Sequence, residues 1–149
     1  MEDKFIGGVY VSCAYFSMYY GLIVLQTVIK HKMIAFYKTK GKHFQRYYNF
    51  QDKPMLGGDR AVGNTLEQMG PFLTFFWLNL ALRDDLSGVW NSISLLGMTY
   101  VILRCLFPIV WLGVNGGSRI GPKTNILFIT IPGYAIIISL TISLFGACR

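Results

Sequence analysis

Charged and apolar positions are sorted along this chain into long blocks. Residues 5 to 29 contain no Asp, Glu, Lys or Arg, and the same is true of 68–82, 86–103, 105–118 and 124–148. A bilayer core takes about 20 mostly apolar residues per helix, so these windows predict four spans, at about 7–29, 59–82, 86–111 and 125–145. The runs lack the roughly 10-residue alternation and frequent turns of a membrane barrel. The pattern predicts an all-α integral membrane protein, an up-down-up-down four-helix transmembrane bundle in one domain over residues 1–149. Asp59, after Gly57 and Gly58, reads as the N-cap of the second helix. Arg83-Asp84-Asp85 reads as a tight polar turn, and Gly113, Gly116, Gly117, Gly121 and Pro122 mark the loop before the fourth helix.

Composition narrows the class. The chain is 53% apolar and only 14% charged, far from the balance of a soluble domain or a disordered one. The opening Met1-Glu2-Asp3-Lys4 followed by an uncharged run as far as Ile29 reads as a span rather than a removable secretory signal, and its acidity argues against an Arg-rich presequence. Cys13, Cys105 and Cys148 are too few and too scattered to form a disulfide framework.

Charge gives direction. The connection of residues 30–58, extended to Arg60, holds eight Lys or Arg against Asp52 and Asp59, which is +6 of the chain's +7. With four spans this connection shares a side with Arg119 and Lys123, so both are expected to face the cytoplasm, or the matrix of a mitochondrion, with the termini opposite. The connection is also aromatic, with Phe36, Tyr37, Phe44, Tyr47, Tyr48 and Phe50 among its lysines. That mix suits nucleic acid and a lipid surface alike. The positive-inside rule favours the lipid bilayer, and no nucleic-acid partner is expected.

Chemistry is expected where polar side chains enter the spans, because ionisable groups there cost several kcal/mol unless they face a cavity or a partner. Arg60, Asn64, Glu67 and Pro71 step by four, three and four residues and share one face of the second helix. Tyr100, Arg104, Phe107 and Trp111 repeat the spacing on the third. Where the two faces meet, Glu67 and Arg104 would neutralise each other and leave Arg60 and Asn64 to hold a ligand. Equally, Glu67 and Arg104 would be an ion pair that fixes helix register with nothing bound. Pro71 and Pro108 remove the amides that would bond to the carbonyls of Glu67 and Arg104. His31 and His43 lack the neighbours of a metal site, and no nucleophile and His pair is evident.

The stretch from Arg60 to Phe72, RAVGNTLEQMGPF, resembles the R-A-x-x-N-x-x-E-x-x-x-P-F signature of the MAPEG family, the membrane-associated proteins of eicosanoid and glutathione metabolism. The looser likeness of four spans, a long basic connection and Arg104 on the third helix extends over most of the chain. The resemblance implies a homotrimer that binds glutathione between neighbouring subunits in the endoplasmic reticulum or a mitochondrial membrane. Arg60, Asn64 and Glu67 would belong to the glutathione site. Arg60 and Lys30 would meet its carboxylates, and Glu67 its ammonium group. Attack on a lipophilic small molecule needs a thiolate, and a thiol with a pKa near 8.5 becomes one beside positive charge. Arg119 and Arg104 would supply it. The chain departs from the family where a Tyr stands seven residues beyond the third-helix Arg, since Trp111 holds that position. Two functions follow. One is a glutathione-dependent transferase or peroxidase, and the other a non-catalytic scaffold or accessory subunit among other membrane subunits.

Overall fold

The computed structural model describes residues 2–45, 52–110 and 124–147. Among these the regular elements are four helices, α1 Asp3–Thr39, α2 Lys53–Leu82, α3 Ser92–Ile109 and α4 Thr124–Ala147. Three of the four, α1, α3 and the Leu127–Gly146 part of α4, are long and apolar enough to cross a membrane. Although α2 has 30 residues, it is not among them. Its N-terminal half carries Asp59, Arg60, Asn64, Glu67 and Gln68, which leaves too short an apolar run beyond Gly70.

The helix ends differ from the expected ones for local reasons. Far from stopping near Ile29, α1 continues to Thr39 and is closed by Gly41 at φ 63°. There the Lys42 amide donates to the Tyr37 carbonyl at 3.0 Å and the Gly41 amide to the Lys38 carbonyl at 3.1 Å. These are the two bonds of a Schellman stop, which only a residue at ease with positive φ completes without strain. The cap of α2 is Asp52, not Asp59, with its carboxylate accepting from the Met55 amide at 3.1 Å. Asp59 instead accepts from Gln26 of α1, and Gly57 and Gly58 lie inside the helix. Likewise α3 begins at Ser92 and not at Leu86, because Asn91 caps it, accepting from the Ser94 amide at 2.9 Å.

Side-chain contacts fix the packing. Lys4 donates to the Arg83 carbonyl at 3.1 Å, Tyr15 to the Thr65 carbonyl at 2.8 Å and Gln26 to Asp59, so α1 and α2 run antiparallel. Tyr100 of α3 donates to Gln68 of α2 at 2.8 Å, and Phe76 meets Gly97. Asn79 of α2 donates to the Leu140 carbonyl of α4 at 2.8 Å. Among the described residues α4 packs on α2 and α3 but not on α1. The core is aromatic, with Tyr15, Phe72, Phe76 and Tyr100 fully buried and the Phe72 and Tyr100 rings stacked 4.1 Å apart. Large apolar side chains cover the outside, among them Tyr20, Val24, Ile131, Ile138 and Phe145.

Glycine permits the closest approach. At Gly7 an added methyl would overlap the Val89 carbonyl oxygen, so the α2–α3 connection lies directly on the first turns of α1. At Gly97 the methyl would come within 2.6 Å of the Phe76 ring.

Candidate functional site

The inward face of α2 is read from what it touches. Ala61, Thr65, Phe72, Phe76, Asn79 and Leu80 are buried, with Gln68 turned to Tyr100. Arg60, Asn64 and Glu67 do share a face, as their spacing requires, but it is turned roughly 100° around the helix from the inward one. Arg60 and Asn64 are half-buried and Glu67 is exposed. One turn from Gln26, the partner of Asp59, lies half-buried Lys30, at the same end of the bundle as Arg60.

Arg104 behaves in the reverse manner. It is 2% exposed, one turn beyond Tyr100 on the inner face of α3, with its guanidinium 5.2 Å from the centre of the Phe107 ring. Neither Nε nor Nη2 has a hydrogen-bond partner among the described residues. Because Tyr100 meets Gln68 and the helices are antiparallel, Arg104 sits at the depth of Asn64. The two expected polar rows therefore stand at one level, with the α2 row on the flank of its helix and not turned toward α3. The Glu67–Arg104 ion pair does not form within one chain. The cause is helical phase. Gln68 and Phe72 meet Tyr100 of α3, and Glu67, about 100° from Gln68, cannot point there as well.

The result is a polar layer in the apolar bundle. Inside it are Arg104, the Tyr15 hydroxyl on the Thr65 carbonyl, and the Tyr100 hydroxyl on Gln68. Outside it are Asn64 and Glu67. A buried guanidinium with unused donors is a receptor for an anion or a strong acceptor, since leaving the charge uncompensated costs several kcal/mol. Tyr15, Thr65 and Gln68 were not singled out in the sequence, where nothing distinguishes Tyr15 from Tyr10, Tyr19 or Tyr20. Gln68 was legible only as a polar residue among apolar ones.

Trp111, Arg119, Lys123, Cys148 and Arg149 lie outside the described residues. Of the expected site, Arg60, Asn64, Glu67, Lys30 and Arg104 are described and Arg119 is not. Among the described residues no group of three or more His, Cys, Asp or Glu is placed to hold a metal ion.

A second polar feature lies at the other end of the bundle. Arg83 donates from Nε to Asp85 at 2.9 Å, from Nη2 to the second oxygen of the same carboxylate, and from Nη1 to Ser143 at 2.7 Å. These groups line an open cavity of about 560 Å³ together with Leu82, Asp84 and Gly146. The Arg83 hydrogen bonds hold the Asp85 carboxyl below the usual carboxylate range.

No protein-family model, curated protein or solved structure matches the chain.

Proposed function

We propose that the chain is a multi-pass membrane enzyme of MAPEG type, a glutathione-dependent transferase or peroxidase acting on lipophilic electrophiles. In this reading it is a homotrimer in the endoplasmic reticulum or mitochondrial membrane, with four helices crossing up-down-up-down and the basic connection on the cytoplasmic or matrix side. The observation that carries the reading is Arg104, buried with Nε and Nη2 unpartnered at the depth of Asn64. A cation kept inside an apolar bundle without a counter-charge among the described residues supports a function that brings an anion to it.

The donor set suits glutathione. Two carboxylates would meet Arg60 and Lys30, an ammonium group would meet Glu67, and the peptide groups would meet Asn64, which both donates and accepts. Glu67 faces away from its own chain, which supports a site completed by a neighbouring subunit. Bound there, glutathione supplies a thiol nucleophile. The chain's part is to hold that sulfur as thiolate beside Arg104 or Arg119, and an apolar surround keeps the acceptor close.

The test is glutathione binding by the purified protein in mild detergent, followed by turnover with chlorodinitrobenzene. Arg60→Ala should weaken binding by about 1.5 to 3 kcal/mol, the range for a charge-assisted hydrogen bond. Phe107 supports the second reading, a non-catalytic scaffold or accessory subunit. Its ring lies beneath Arg104 and offers no hydroxyl or ring nitrogen to a thiol. Absence of binding at millimolar glutathione decides for that reading.

A further inference from the structure

Lys30, Lys32 and Lys38 stand on α1 rather than in a loop, with Lys40 and Lys42 in the turn that caps it. Val11 meets Gly97 and Tyr15 stacks on Tyr100, so α1 and α3 run in parallel and Ile109 of α3 is level with about residue 24 of α1. The remaining turns of α1, to Thr39, extend about 22 Å beyond the level of Ile109 at 1.5 Å per residue. The whole helix is about 55 Å long against a hydrocarbon core of about 30 Å. Its end therefore projects from the bilayer with the first turns of α2 beside it.

The projecting part carries one sign of charge. Residues 30–45 hold five lysines and no Asp or Glu. Lys32, Lys38, Lys40 and Lys42 are exposed and form no ion pair among the described residues. The nearest carboxylates are engaged, Asp52 as the buried cap of α2 and Asp59 with Gln26. Lys32, Phe36 and Lys40 follow at four-residue steps along one face, with Phe36 exposed and the Lys40 ammonium 4.3 Å from the centre of its ring.

We infer that this helix end is a docking surface for the headgroups of anionic phospholipids in the adjoining leaflet. Thr39 lies about 15 Å along the axis from Ile29, where the uncharged run ends. A lysine reaches back several ångströms along its own stem, and the field of an anionic surface persists for about 8 to 10 Å. All four exposed lysines thus act within range of the phosphates, held there by the span they continue. Nucleic acid fits less well. Stacking of bases needs open aromatic faces, and among the described residues of this end Lys40 covers Phe36 while Tyr37 packs against Phe44.

The full chain, reconstituted in phosphatidylcholine bilayers with spin-labelled phosphatidylserine or spin-labelled phosphatidylcholine, reads this out as the motionally restricted lipid fraction. The expected result is a preference for phosphatidylserine of about threefold or more at low salt. It should fall toward parity at 1 M salt and disappear in the combined variant Lys32→Gln, Lys38→Gln, Lys40→Gln, Lys42→Gln. These exposed substitutions keep helix propensity, and unchanged circular dichroism verifies the fold. Equal association of both lipids with the unmodified protein overturns the inference, as does a preference that survives in the variant. So does retention of single-stranded RNA by the purified protein without any lipid preference. The inference is independent of glutathione.

Discussion

At the scale of single residues the decisive group is Arg104. A guanidinium that is 2% exposed and leaves Nε and Nη2 unused is kept at a cost to the fold. Arg104→Met, of similar length and without charge, is therefore expected to raise the unfolding free energy on the order of 1 to 3 kcal/mol while removing any glutathione binding. Thermal unfolding in detergent with and without glutathione measures both; a fall in stability instead would mean that a neighbouring chain already compensates Arg104. That Arg104 and Glu67 sit in helices was legible from the uncharged stretches that adjoin them. Their failure to pair was not. Both spacings are right, but spacing defines which residues share a face and leaves open which face turns inward. Burial of Thr65, Phe72 and Phe76 settles that choice, and it turns Gln68 toward α3.

At the scale of elements, the windows free of charge located the helices but not their ends. A helix has no reason to stop where hydropathy stops, and α1 runs on until Gly41 terminates it. The stop was readable, since glycine after Lys38-Thr39-Lys40 is an ordinary C-terminal signal. Asp59 was the cap expected from sequence, and it is instead held by Gln26, a tertiary partner that no local pattern reveals, while Asp52 caps the helix. Glycine packing gives a sharp test at this scale. Gly7→Ala forces a methyl into the Val89 carbonyl, which cannot yield as a flexible side chain would, and should cost about 1 to 3 kcal/mol in thermal unfolding. Gly21→Ala, with open space around it, should cost nothing and even gain slightly in helix propensity. The α2–α3 turn supplies a pH test. The Asp85 pKa is depressed by Arg83, so its stabilisation is complete above the unfolded carboxylate value of about 4 and is lost as pH falls through the lower folded value. The melting temperature should drop in that acid window, and Asp85→Asn should reduce the drop.

For the whole molecule, the all-helical class and the presence of helices long and apolar enough to cross a membrane follow from the block pattern alone, although three such helices are found among the described residues where four were expected. The internal order does not. Asn79 was one more uncharged residue in an apolar run, yet its amide donates to the carbonyls of both Phe75 and Leu140 and ties α4 to α2. In an apolar bundle without a hydrophobic drive between helices, such a bond is worth about 0.6 to 1.7 kcal/mol. Asn79→Ala should lower stability by that amount. Thr141→Ala removes only a bond to the Ile137 carbonyl within the same helix and should have a smaller effect.

The seat that Gly7 provides for the Val89 carbonyl lies on α1, upstream of the connection that fills it. Among the described residues α1, α2 and α3 all pack on one another, whereas α4 packs on α2 and α3 and not on α1. The first three helices can therefore close around the seated Val89 carbonyl before α4 is made. Adding α4 then covers α2 and α3 without disturbing α1.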